Sequence, residues 1–219
     1  MRKIIIIVTL ALATLWASAA FATPFTITYT ADNSLTGFTY SENGGAAIDV
    51  PGFVDEGTTG TWKTPASLTL DMNVGSSYQL VWTVQNYAGS GDNPMAFLAD
   101  ISGLFGSAST SALWEVAYDD GSGNAVGWTS ASEYALNSGA WLTGASGNSI
   151  WYTGNGNSAI SGISGDAVWI GYGAYPGTAA SSTMYVRLTY TATPLPAAVW
   201  MFGAGLVGLL GVGRKRLRG

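Results

Sequence analysis

The chain has 219 residues, no cysteine, no histidine and a formal net charge of −5; disulfides, ordinary zinc sites and the commonest general base are therefore excluded. Arg2, Lys3, Arg214, Lys215, Arg216 and Arg218 sit at the two ends, and only Lys63 and Arg187 share the central body with all 13 acidic residues. The body thus carries about −11, which repels phosphate and excludes nucleic acid as a partner.

In chain order, residues 1–22 read as a secretory signal peptide. Arg2 and Lys3 give a basic start, Ile4 to Trp16 an apolar core, and Ala20-Phe21-Ala22 a small-residue cut site before Thr23. Residues 23–192 read as one all-β domain, long enough to fold on core packing alone. Phe25, Ile27 and Tyr29 alternate with threonines. Leu68, Leu70, Met72 and Val74 alternate with polar residues. Tyr78 to Tyr87, Leu113 to Tyr118, Ala167 to Tyr172 and Met184 to Thr191 are further strand runs. Turn signals separate them at Asn43-Gly44-Gly45, Asp119 to Asn124, Gly154 to Asn157 and Pro176-Gly177. Ser132 to Leu142 is expected to hold a short helical turn. Short strands joined by glycine-rich turns imply an antiparallel β-sandwich or jelly roll. Trp62, Trp82, Trp114, Trp128, Trp141, Trp151 and Trp169 argue against disorder, and Trp82, Trp114 and Trp169 fall in strand patterns that mark them as core.

Residues 193–219 form a third piece. After Pro194-Leu195-Pro196, Ala197 to Gly213 is an uncharged, mostly apolar run that would span roughly 25 Å as a helix, close to the ~30 Å of a bilayer core. Its glycines are tolerated in membrane helices, and the closing Arg214, Lys215, Arg216 and Arg218 favour the cytoplasmic side. Pro-Leu-Pro-Ala-Ala, a Gly-rich apolar helix with a Trp, and a terminal basic cluster resemble the PEP-CTERM sorting tail in its VPLPA-CTERM variant. Thr193 stands where that variant has Val, and Leu195 where the parent motif has Glu. The resemblance implies a substrate of exosortase, the membrane protease-transpeptidase of exopolysaccharide-making Gram-negative bacteria, with Pro194, Leu195, Pro196 and Ala197 as the recognition motif. A permanent inner-membrane anchor is the alternative reading of the same run, with the prolines merely opening the helix.

The body is similar to exported domains of the galactose-binding-like jelly-roll type at Thr30-Ala31-Asp32-Asn33-Ser34 and Gly165 to Ile170. That resemblance implies a glycan-binding or matrix role. Aromatic supply points the same way, since sugar rings stack on aromatic faces and their hydroxyls seek amide, acid and phenol partners. Trp128, Tyr134, Trp141, Trp151 and Tyr152 are the candidate glycan contacts, with Asn137 and Asn148 among them; core filling is the competing role for each ring. Asp119, Asp120 and Asn124 crowd one turn and are a candidate calcium site, calcium being the one cofactor the sequence suggests; a solvated hairpin turn is the ordinary role of the same residues. Asp32 with Asn33 is a weaker candidate of the same kind. Glu115, Asp119 and Glu133 are the acids that a glycoside hydrolase would need, and without His or Cys no ordinary triad is available. The expectation is therefore a non-enzymatic, exported and surface-sorted protein associated with exopolysaccharide. A structural or adhesive protein without a specific ligand is the alternative, and a glycosidase the remote one.

Overall fold

The computed structural model describes residues 22–55, 57, 62–87, 95–103, 106–138, 159–173 and 182–192. The expected sorting tail, all but the last residue of the expected signal peptide, and Trp141, Asn148, Trp151 and Tyr152 lie outside the described residues.

Twelve strands form the described fold: β1 (Ala22–Asp32), β2 (Ser34–Glu42), β3 (Ile48–Asp49), β4 (Ala66–Asn73), β5 (Ser77–Asn86), β6 (Ala96–Gly103), β7 (Gly106–Ser109), β8 (Glu115–Asp119), β9 (Ala125–Ser130), β10 (Ser132–Leu136), β11 (Val168–Gly171) and β12 (Ser182–Thr191). They make two sheets, in which every pairing is antiparallel. One runs β10-β11-β6-β1-β4, with β7 also pairing β6; the other runs β3-β2-β5-β12-β8-β9. The all-β, two-sheet architecture expected from the turn spacing is therefore present.

The core lies between the sheets, and period-two patterning fills it. Phe25, Ile27, Tyr29 and Ala31 of β1 meet Tyr78, Leu80, Trp82 and Val84 of β5 and Met184, Val186, Leu188 and Tyr190 of β12. At its centre Trp82 stacks on Phe38 (centroids 4.3 Å apart, 17° between planes) and packs against Phe97 and Trp114. Aromatic groups bury large areas and add about 0.5–1.5 kcal/mol per favourable ring pair.

The first sheet is also covered on its other face. Ala96, Leu98, Tyr134, Ala135, Ala167 and Trp169 point that way and pack with Ile160 and Ile163 of the 159–167 loop. Trp62 closes this outer cluster by an edge-to-face contact with Trp169 at 6.0 Å. Because β6 is buried on both faces, Ala96 to Ala99 are all fully buried and show no alternation, as expected of doubly covered strands. That is why β6 escaped the periodicity reading. β2 escaped because a bulge between Leu35 and Gly37 breaks its alternation.

Two expectations are corrected. Ser132 to Leu136 is strand β10, not a helical turn: pairing with β11 and burial of Tyr134 and Ala135 decide it. Leu113 is not in a strand either. The Trp114 amide donates to the Ser111 carbonyl at 3.0 Å, closing a turn that leaves Leu113 exposed, and β8 starts only at Glu115.

Candidate functional site

The β8–β9 hairpin lies at the edge of the second sheet and carries two of the candidate groups singled out from sequence. Its turn is Asp120 to Asn124. Gly121 and Gly123 take positive φ (87° and 83°), open to glycine without steric penalty, and this curls the backbone N–H groups onto the two aspartates. Asp119 Oδ1 accepts from the amides of Gly121 and Gly123 at 2.6 and 3.1 Å. Asp120 Oδ1 accepts from those of Ser122 and Asn124 at 2.8 and 3.3 Å. Asn124 Nδ2 donates to Asp120 Oδ2 at 3.2 Å, and the Tyr185 hydroxyl to Asp119 Oδ2 at 3.0 Å.

Each of the four carboxylate oxygens thus accepts at least one hydrogen bond, three of them from the turn itself and Asp119 Oδ2 from Tyr185. Among the described residues no group of three or more acidic side chains is close enough to share a metal. The donors favour the charged carboxylates. The Gly123 amide, then that of Gly121, holds Asp119 below the usual carboxylate range. The Ser122 amide, then the Asn124 side chain, does the same for Asp120. Burial, then the bond to Asp119, pushes the Tyr185 phenol up to about 12.

Beside this turn, on the solvent face of the second sheet, lies Trp128. The register places Arg187 of β12 opposite Glu115 of β8, and Glu115 opposite Ser130 of β9. The Arg187 Cζ sits 4.0 Å from the centroid of the Trp128 ring. Its Nε and Nη2 both reach Glu115 Oε2, at 2.9 and 2.7 Å. One strand over, Tyr185 pairs with the fully buried Ala117. The result is a shelf in which a half-buried indole and a phenol flank a small residue. A guanidinium with spare N–H donors and a half-exposed carboxylate sit alongside. Such a surface can stack on an apolar sugar face and hydrogen-bond its hydroxyls.

The other sequence candidates fare differently. Tyr134 is 2% exposed and its hydroxyl donates to the Gly173 carbonyl at 3.1 Å; it is a core ring of the outer cluster and presents no stacking face. Asn137 is also buried. Its Nδ2 donates to the carbonyls of Ile160, Ile163 and Ser164, and its Oδ1 accepts from the Ile160 amide. It staples the 159–167 loop rather than meeting a ligand. Asp32 is buried and bonded to Asn33 Nδ2 at 2.6 Å, while Asn33 Oδ1 accepts from the Tyr87 amide; the pair ties the β1–β2 corner to the end of β5. Of the three acids, Glu115 is paired with Arg187, Asp119 caps its turn, and Glu133 Oε1 accepts from the Ala112 amide at 2.7 Å.

Sequence reasoning missed Arg187 and Tyr185 as site residues, although their outward position in β12 was legible. It also missed Tyr118 and Tyr172, which lie apart in the chain and meet in space at 5.5 Å, edge to face. Comparison with protein-family profiles, with characterised proteins and with solved structures found no match.

Proposed function

We propose that the chain is a non-enzymatic, exported and surface-sorted protein of the extracellular matrix, whose second sheet binds a neutral glycan on the shelf around Trp128. The observation that carries the binding reading is Trp128 itself, a large ring held half-open on a sheet face by a guanidinium that Glu115 fixes in place. The shelf suits neutral rather than acidic sugars. Arg187 is already neutralised by Glu115, and Asp119 and Asp120 lie alongside on the same hairpin, so a uronate would meet net negative charge. The repeated crossing of the chain between the two sheets supports the finer reading of the sandwich as a galactose-binding-like jelly roll; fold likeness by itself assigns no activity.

Register supports an outward-facing site. Thr191 pairs with Ser77, whereas Met184 pairs with Tyr118 at the far end of β12. Ala192, the last described residue, bonds through its N–H and C=O to Ser76 and Gly75. The shelf residues Arg187 and Tyr185 therefore lie five and seven residues up β12 from Ala192, roughly 16–23 Å at 3.3 Å per residue. A membrane-bound tail from 193 onward would hold the shelf away from the lipid, whether the tail is later cut by an exosortase or kept.

The test is affinity electrophoresis of the full chain, purified in detergent, through gels containing a neutral β-glucan, a neutral galactan or alginate. Retardation is expected with a neutral polymer and not with alginate. Trp128→Ala should weaken it about tenfold, the loss of one stacked ring, with the unfolding midpoint lowered by only a few degrees, the loss of one cation–π contact. A wild-type chain that ignores every neutral polymer would leave a structural or adhesive role.

A further inference from the structure

Tyr118 and Tyr172 are exposed for a reason the core does not supply. Tyr118 pairs with Met184, which is fully buried, and belongs to the inward-facing register of β8. Other inward tyrosines are shut away: Tyr29 is 3% exposed and Tyr78 1%. Tyr118 is nonetheless 47% exposed, and β11 of the opposite sheet ends at Gly171. Beyond that end the chain presents Tyr172, 40% exposed, and the two rings meet at 69°. Edge-to-face contact fixes the angle between them and forms an open corner. Gly127 lies beneath the Tyr118 ring: a Cβ there would come within 3.0 Å of Cε1, and the residue has a φ of +71°. The glycine thus leaves room for one edge of the Tyr118 ring against the hairpin.

The hydroxyls point the same way. Tyr78, Tyr87, Tyr134 and Tyr185 all use theirs in hydrogen bonds to the protein. Among the described residues neither Tyr118 nor Tyr172 does. Two adjacent aromatic faces with free phenol groups match one chemistry closely, that of a pyranose, whose C–H face seeks a ring and whose hydroxyls seek O–H partners. An apolar peptide would leave both hydroxyls unsatisfied on binding, at a cost.

We infer that the Tyr118–Tyr172 corner is a second stacking subsite for neutral glycan, across the β8–β9 hairpin from the Trp128 shelf. The inference rests on the glycan reading above but uses different residues on the other side of the hairpin. A polymer engaging both would gain from effective concentration, so long chains should bind better than short oligosaccharides.

The experiment runs the same gels with the full chain carrying Tyr172→Ala, Tyr118→Ala, Tyr172→Phe, Tyr118→Phe or Trp128→Ala, each checked by thermal unfolding. Tyr172→Ala and Tyr118→Ala should each bind neutral polymer about fivefold more weakly, and each phenylalanine variant within about twofold of wild type, since the ring survives. Should Tyr118→Ala fail to fold, Tyr172→Ala decides, because Tyr172 follows its strand. Tyrosine variants that bind like wild type while Trp128→Ala loses affinity overturn the corner and leave the glycan reading intact. The reverse pattern keeps the corner and removes the Trp128 shelf. A wild-type chain that binds no neutral polymer removes both.

Discussion

Arg187 is the side chain that ties three strands of the second sheet together: it starts on β12, bonds Glu115 on β8 and covers the indole of Trp128 on β9. A half-exposed ion pair contributes about 0–1 kcal/mol and an exposed cation–π contact about 0.5–1, so the triad orders the shelf more than it stabilises the fold. Asn137 has the opposite balance. Its amide satisfies three carbonyls and one N–H of the loop that covers the outer face of the first sheet. Asn137→Ala would leave several buried polar groups unpaired, and a loss of roughly 3 kcal/mol is expected. Urea unfolding checks this; a loss under about 0.5 kcal/mol, the range of a surface substitution, would mean the loop does not depend on the staple. Trp82 shows a limit of such satisfaction. Among the described residues its indole N–H is buried without a partner, a cost set against four-ring packing at the centre of the core. The inward positions of Trp82 and Trp114 followed from alternation and hydrophobicity. The role of Asn137 did not, because its partners lie 23 to 27 residues away.

The β8–β9 hairpin is the element where local chemistry and function meet. Asp119 and Asp120 have carboxyls held below their ordinary values by the turn's own amides. A depressed carboxyl favours the folded state above its unfolded value and loses that contribution as pH falls through its folded value. The hairpin should therefore keep its geometry from neutral pH down to about 4 and loosen below. Amide exchange at Gly121 and Gly123, measured against pH, should show protection falling only in the acid range, and Asp119→Asn should remove most of that dependence. Protection at these glycines that does not change down to pH 2 would contradict it. Tyr185 works in the other direction. Its phenol, raised to about 12, binds its proton more tightly folded than unfolded. Its contribution is complete below the ordinary value of 10 and is lost as pH rises toward 12. Burial also raises the phenols of Tyr78 and Tyr190, so phenolate absorbance should show a late-titrating group of tyrosines, and Tyr185→Phe should remove one phenol from that late phase. The turn itself was legible as Asp-Asp-Gly-Ser-Gly-Asn; that its carboxylates accept from the turn's own amides was not.

At the level of the whole molecule, both ends of the described fold emerge beside the β4–β5 turn. Ala22 pairs with Asn73, and Ala192 bonds to Gly75 and Ser76. A cut before Thr23 would remove just one residue of β1 and leave Thr23 paired with Met72 and Phe25 with Leu70, so processing should not disturb the sheet. Mass spectrometry of surface protein from an exosortase-bearing host should find a chain that begins at Thr23 and lacks Arg214 to Gly219; an intact basic end would indicate a permanent anchor. The sequence by itself determined the all-β character and the inward residues of β1, β5 and β12, because alternation and turn residues are local properties written along the chain. Tertiary structure alone decided that β6 and β10 are strands, that Tyr134 and Asn137 are buried, and that Arg187 backs Trp128 while Tyr118 meets Tyr172. Those outcomes depend on which strands become neighbours and where one sheet ends before the other, and no short stretch of sequence carries that information.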